Sequence, residues 1–585
     1  MPAPRGHTIT YTGNRADGHA VQINGDVHGD VHFPERPREA GELSPHQCLR
    51  DLRVTDPRED RARIEGDKDK LLRDCYAWIL EDASFQRWRT QKGSRLLWIK
   101  GDPGKGKTMM TMGLIVELSQ GPKARLPSRT MSKIMARLKL SSQPCLVTYF
   151  FCQSTRPELN NAVAVLRGVI YLLVTQQDQL LRHVQKRYKD VGSKPFEGPN
   201  AIYTLREILS DILNDPTLPT TYLLIDALDE CTTGLSTLLR IITDDSFARR
   251  SRIKWLLTSR NLPEIEHFLQ PDAAGIKVSL EVSADQVSRA VAAFIDFKVQ
   301  NLATVKRYGA ELQAEVEKVL RTKAEGTFLW VSLVCKELQG VEYRRTRNVL
   351  WDLPPGLDPL YERMMGQILA QHNVKTAEFC EAVLRAVTVA FRPLRLRELV
   401  VVASLPSDEF DDPQAVVDLV SRCGSFLTIS QDTVSLIHLS AKDYLMAGNG
   451  QHLFDGAAVE EHRRVTCRLL SAMRSSLRRD VCGVERLGAQ TMELTQRVEN
   501  RILTQIAYAC EYWVDHLCAS NLTPSATPED ILRDGGVVDL FLQEKFLYWL
   551  EALSLCRSMS KGVVAIEKLW SLVQVSFVLT IIEDC

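Results

Sequence analysis

Gly101-Asp102-Pro103-Gly104-Lys105-Gly106-Lys107-Thr108 is the stretch that decides how this chain is read. It matches G-x-x-x-x-G-K-[ST], a loop that cradles phosphate. Leu96-Leu97-Trp98-Ile99 before it reads as a short apolar strand, and Met109 to Leu118 after it as a helix. Successive backbone N–H groups at a helix N-terminus, aided by the helix dipole, converge on an anion. Gly104 and Gly106 let the backbone wrap that anion with no Cβ in the way. Lys107 is placed to reach β- and γ-phosphates, and the Thr108 hydroxyl to ligate Mg²⁺. A chance Gly/Lys turn is the plain alternative, and the flanking strand and helix argue against it.

Such a loop needs an acidic partner. Tyr222-Leu223-Leu224-Ile225-Asp226 is an apolar run ending in a carboxylate, as a buried parallel strand does at the end where α/β ligands sit. Asp226 is therefore expected in the metal shell. Asp229 and Glu230 follow closely and would orient or deprotonate a water near the γ-phosphate. Ile253-Lys254-Trp255-Leu256-Leu257 reads as a further strand, running through Thr258-Ser259 to Arg260. A cation there would lie close to the γ-phosphate. Solvated acids at a strand end and a surface arginine are the alternatives for these residues.

Gly101 to Thr108, Leu224-Ile225-Asp226-Ala227-Leu228-Asp229-Glu230 and Leu257-Thr258-Ser259-Arg260 together resemble the successive motifs of the NACHT family, signal-transducing NTPases related to NOD-like receptors. Phe150-Phe151-Cys152 and Leu166-Arg167-Gly168-Val169-Ile170-Tyr171-Leu172-Leu173 are similar to the version found in filamentous fungi. The resemblance implies a multidomain α/β plus α protein. Its P-loop NTPase core with a parallel sheet would be followed by a helical subdomain, a winged helix and a helical C-terminal region. It implies ATP or ADP with Mg²⁺ (GTP stays open), slow hydrolysis acting as a timer, and self-association on activation. It also implies that His438, in the winged helix, contacts the β-phosphate of bound ADP. A capping or core role for His438 is the alternative, as are a catalytic P-loop enzyme or a scaffold without turnover for the whole chain.

Composition narrows the class. A chain of 585 residues suggests about three to five structural units. The formal net charge is +0, so no global field favours nucleic acid or membrane. The 14 cysteines lack C-x-x-C pairs, and Cys145, Cys335 and Cys380 sit in apolar runs, which points to reduced thiols in a cytoplasmic protein. The polar start gives no signal-peptide pattern, and no apolar run reaches the length of a membrane span.

The organisation expected along the chain runs as follows. Residues 1–45 form a flexible segment rich in Gly, His, Asp and Pro. Within it Val21, Ile23, Val27, Val31 and Phe33 alternate with polar residues, a strand pattern whose unpaired edges would recruit copies of itself. Residues 8–34 resemble, loosely, an amyloid-type signalling motif that would engage a downstream effector. A disordered tail with an Asn24-Gly25 hairpin, and a metal site from His28 and His32, are the alternatives. Residues 46–92 read as helical, 93–282 as the NTPase core and 283–340 as a helical subdomain. Residues 341–450 are expected to form the winged helix, with Leu394 to Leu399 opening its second helix and Ser435 to His438 as its terminal strand. In 121–140 six basic residues accompany Met131, Ile134, Met135 and Leu138 on one helical face. Such a stretch would touch anionic lipid or a partner, or is a tolerated surface insertion. Phe328 stands where many relatives carry the proline of an adenine contact. Residues 451–585 read as helical, with Trp513, Trp549 and Trp570 as core mass. Val573 to Cys585 departs from a polar terminus, as in a truncated form without sensor repeats. The candidate recognition helix continues into Val400-Val401-Val402, so no nucleic-acid partner is expected.

Overall fold

The computed structural model describes residues 45–91, 95–120, 145–188, 196–198, 200–244, 252–269, 275–371, 373–447, 453–454, 458–481, 501–520 and 529–583. The alternating segment at 21–33 and the basic stretch at 121–140 lie outside them.

A five-stranded sheet, ordered β2-β3-β4-β1-β5, forms the core of the first half. Its strands are β1 Leu96–Lys100, β2 Cys145–Phe151, β3 Thr220–Asp226, β4 Ile253–Ser259 and β5 Gly275–Ser279. Every neighbouring pair is parallel. The β3 and β4 runs are apolar without alternation because helices cover both faces of a parallel sheet. Leu223, Leu224, Leu256 and Leu257 are accordingly fully buried. The helices Lys107–Ser119 and Ala162–Gln176 bury most of their residues, the second starting where the Asn161 side chain accepts the Ala164 N–H at 2.9 Å. This parallel register brings the C-terminal ends of β1, β3 and β4 side by side, so the loop after β1, Asp226 and Arg260 share one rim.

The segment ahead of the sheet differs from the expected run of helix. Helices Pro57–Asp67, Ala77–Glu81 and Ala83–Thr90 are present, but 68–72 is extended, with Leu71 and Leu72 outside any helix. Tertiary anchors override helical spacing here: the Asp69 carboxylate accepts from Lys298 Nζ at 2.6 Å and from the Ser332 hydroxyl.

Helices Ala284–Lys306, Ala310–Lys323 and Phe328–Gly340 follow β5. Pro354 and Pro355 separate helices Thr346–Asp352 and Leu357–Leu369, as the lack of N–H donors requires. Beyond them lies a three-stranded antiparallel sheet, ordered β6-β8-β7. Its strands are β6 Leu394–Arg395, β7 Leu427–Ser430 and β8 Thr433–Leu436. Leu394 and Arg395 are thus strand rather than helix, because they pair with Val434 and Thr433, and the helix runs over Leu396–Val402. His438 is likewise past the end of β8 and caps the helix Leu439–Met446.

The C-terminal region is helical over Ala458–Ser476, Arg501–Ala519, Val537–Leu555 and Met559–Glu583. Trp513, Phe541 and Trp549 form an edge-to-face cluster, Trp513 and Trp549 with ring centroids 5.8 Å apart. Trp570 is not core mass: it is 65% exposed, because it lies on the outer face of the last helix. Glu398 joins this region to the winged helix. Its carboxylate is fully buried and accepts both terminal nitrogens of Arg392 at 2.7 Å, the Arg395 N–H at 2.9 Å and the Tyr508 N–H at 3.0 Å. Among the described residues no helix is long and apolar enough to cross a membrane.

Candidate nucleotide site

Gly104 and Gly106 adopt φ of +76° and +81°, in the left-handed region that only glycine enters freely. A Cβ on Gly104 would meet Thr327 Cγ2 at 2.8 Å, and one on Gly106 the Phe328 ring at 2.9 Å. The two glycines therefore serve two purposes: they leave the amide cradle open, and they let the helical subdomain sit on its back. The Gly104 carbonyl accepts the Phe328 N–H at 3.0 Å, and Lys105 Nζ donates to the Glu325 carbonyl at 2.9 Å. Phe328, the departure from the family pattern, is the residue that lies against Gly106. The Asp102 N–H donates to Glu281 Oε1 at 2.7 Å, so Asp102 and Pro103 are held by a carboxylate just beyond β5. Gly101 continues the β1–β4 pairing through its N–H to the Ser259 carbonyl at 3.2 Å.

Lys107 opens the helix behind this loop, with Thr108 next to it. Its Nζ donates to the carbonyls of Gly101 and, at 2.9 Å, of Asp102. Burial holds the ammonium below its usual pKa, against the pull of Asp229 and Asp226. At the end of β3, Asp226 Oδ1 accepts from the hydroxyls of Thr111 at 2.8 Å and Thr258 at 2.6 Å. Thr258 in turn accepts the Ala227 N–H at 3.0 Å. These two threonines orient the carboxylate. The motif pointed to Thr108, whereas Thr111, one helical turn along on the same face, makes the contact with Asp226. Helical spacing from the loop is the signal that could have found it.

The paired acids part company. Asp229 accepts the Arg260 N–H at 3.0 Å and faces its Nε at 3.2 Å. Glu230 turns the other way and accepts the Ser154 N–H at 2.9 Å and its hydroxyl at 3.2 Å. Burial raises the Glu230 pKa to about 7, against those two bonds. Arg260 also pairs with Asp443 on the helix Leu439–Met446. His438 caps that helix, its Nδ1 accepting the Ser440 N–H at 3.1 Å. Burial, and the cations Lys68, Arg260 and Lys107, depress the His438 pKa to about 3. The capping role and an environment shaped by these cations thus coincide, with the imidazole neutral at pH 7.

If Glu230 accepts a proton from water, phosphate release should rise with pH through about 7, where the carboxylate ionises. Glu230→Gln should flatten that profile while nucleotide still binds. A profile unchanged by the substitution removes the base role.

Glycines at positive φ in front of a helix N-terminus, a strand-end Asp beside them and an Arg on the next strand define a P-loop NTPase. Residues 74–260 match the family model described as Nephrocystin 3, N-terminal. Over 540 residues, 90% of this chain, the sequence is 41% identical to Vegetative incompatibility protein HET-E-1 of Podospora anserina. These two likenesses support a NACHT-like NTPase of the fungal kind. The chain spans 38% of the length of that relative. Among solved structures, it is similar to the Walker-type ATPase PABY2304 of Pyrococcus abyssi, at 13% identity and a TM-score of 0.30 over 68% of this chain and 99% of that one. It is also similar to Cdc6p from Pyrobaculum aerophilum, at 12% and 0.25 over 66% and 96%. Both superpose loosely.

Proposed function

We propose that this chain is a nucleotide-dependent molecular switch that self-associates to signal in an incompatibility-type response. The observation that carries the reading is Arg260, whose guanidinium pairs with Asp229 of the NTPase core and Asp443 of the winged helix. A γ-phosphate arriving at the rim would compete for that guanidinium and loosen the winged helix. ADP lacks the competing group and leaves the pair in place. Driving a two-state protein from 1:99 to 99:1 takes about 5.5 kcal/mol of differential affinity, so this one pair is a part of the response rather than the whole.

The oxygen donors at the rim fit Mg²⁺. Among the described residues no cluster of three His, Cys, Asp or Glu is arranged for a metal. Mg²⁺ suits such a site, since it is commonly held by one or two protein oxygens together with nucleotide phosphates and water. Asp226 and the Thr108 hydroxyl would hold it, and it would neutralise charge on the phosphates. Asp229 or Glu230 would orient the attacking water, and slow hydrolysis would reset the switch. The similarity to an incompatibility protein supports the signalling output.

Asp443→Asn should raise the oligomeric fraction in ADP about fivefold, because a partly exposed pair is worth up to about 1 kcal/mol. Native mass spectrometry in ADP and then in a non-hydrolysable ATP analogue reads this directly. A wild-type chain that stays monomeric in both, with steady ATP turnover, would favour a catalytic P-loop enzyme instead.

A further inference from the structure

Asp226 closes β3 with two carboxylate oxygens in unlike surroundings. Oδ1 accepts from the Thr111 hydroxyl at 2.8 Å and from the Thr258 hydroxyl at 2.6 Å. Two such donors fill the lone-pair sites of one carboxylate oxygen. Among the described residues nothing hydrogen-bonds Oδ2, and that oxygen is not sealed from water. The Thr108 hydroxyl is open in the same way. Both donors to Oδ1 are held from behind. Thr111 and Thr258 are each 1% exposed, so neither side chain has room to turn away. Thr111 lies one turn into the helix Lys107–Ser119, its hydroxyl also 3.0 Å from the Lys107 carbonyl. The Thr258 hydroxyl accepts the Ala227 N–H at 3.0 Å, which leaves its own hydrogen for Asp226.

A carboxylate with one oxygen filled can offer a cation only the other. That suits Mg²⁺, which demands near-ideal octahedral geometry and takes few protein oxygens beside phosphates and water. It suits Ca²⁺ less, because Ca²⁺ gathers more oxygens in looser geometry and readily uses both oxygens of a carboxylate. We propose that Thr111 and Thr258 are positioning residues that determine cation specificity at the nucleotide site. By filling Oδ1 they hold Asp226 to a single-oxygen ligand and so select Mg²⁺ over Ca²⁺. They act on the carboxylate from two sides, one from the helix behind the phosphate loop and one from β4. The proposal rests on the nucleotide-switch reading and adds to it the choice of cation.

The test is titration calorimetry of the full chain with a non-hydrolysable ATP analogue in Mg²⁺, in Ca²⁺ and in EDTA. The proteins are wild type, Thr111→Val, Thr258→Val and Thr258→Ser. The affinity gained over EDTA is the contribution of the cation. Wild type should gain more from Mg²⁺ than from Ca²⁺. Thr111→Val keeps the shape and removes the donor. It should lose about tenfold of the Mg²⁺ gain, the lower end for loss of a partner that orients a metal ligand. It should keep the Ca²⁺ gain and match wild type in EDTA, a pattern that a merely structural role would not produce. Thr258→Val also strips the Ala227 N–H of its acceptor, so Thr111→Val is the decisive variant, and Thr258→Ser, which returns the hydroxyl, should restore the Mg²⁺ gain. The proposal is overturned if Thr111→Val matches wild type in both cations, loses both gains equally or weakens binding in EDTA. A wild type that gains no more from Mg²⁺ than from Ca²⁺ overturns it as well, while the phosphate loop stands. If wild type binds the analogue in none of the three conditions, the switch reading itself falls.

Discussion

Lys107→Ala is expected to lower nucleotide affinity about a hundredfold, since hydrogen bonds to charged groups contribute about 1.5–3 kcal/mol and this ammonium would engage two phosphates. The geometry sharpens the expectation. Lys107 is pre-positioned by the Gly101 and Asp102 carbonyls of the loop that would hold the phosphates, so little ordering remains to be done on binding. The variant should still fold, because both acceptors are backbone groups at an open rim that water can satisfy. Calorimetry with ADP and an ATP analogue measures the effect. An unaltered titration would mean that the loop does not bind phosphate through this residue.

The second large effect is on stability. Glu398→Ala is expected to destabilise the winged-helix and C-terminal half by about 3–5 kcal/mol, the range for breaking a buried ion pair from one side. The substitution takes from Arg392, which lies against the rings of Tyr508 and Tyr512 at 5.1 and 5.7 Å, its two-pronged carboxylate partner and leaves it Glu511 at 3.3 Å. It also removes the acceptor for the N–H groups of Arg395 and Tyr508. Unfolding of so large a chain is not two-state. The measurement is therefore the shift of the denaturant transition reported by Trp513 and Trp549 fluorescence. Glu398→Gln keeps an acceptor and should lose less. A transition unmoved by Glu398→Ala would show that the pair adds nothing to the joint between the two regions.

Much of the candidate site was legible because local sequence and local structure coincide there. The octet Gly101–Thr108 carries its own conformation: positive φ at Gly104 and Gly106 and a helix start at Lys107 follow from residue type and order. Strand ends at Asp226 and Ser259 follow from apolar runs that stop at polar residues. The strap at 68–72 was not legible. Leu71, Leu72 and Cys75 keep a helical spacing, but Asp69 is bound to Lys298 and Ser332, and such distant partners outweigh the small energies of local propensity. Leu394-Arg395 misled for a similar reason. Two residues that pair with β8 leave no period to detect, and periodicity needs a longer window. Trp570 misled because aromatic character does not say which face of a helix is covered.

The sequence by itself determined that a phosphate loop precedes a parallel-sheet acid and a strand-end arginine, since each is encoded within a few consecutive residues. Only the tertiary structure decided what these groups do to one another. The Asp229 and Glu230 carboxylates, adjacent in the chain, are sent to different partners because the short helical turn Leu228–Glu230 points one at Arg260 and the other at Ser154. Arg260 meets Asp443, 183 residues away, and Asp69 meets Lys298, 229 residues away. Side chains so far apart in sequence carry no local signature of their meeting. Coulombic coupling depends on distance and burial, and packing alone sets both.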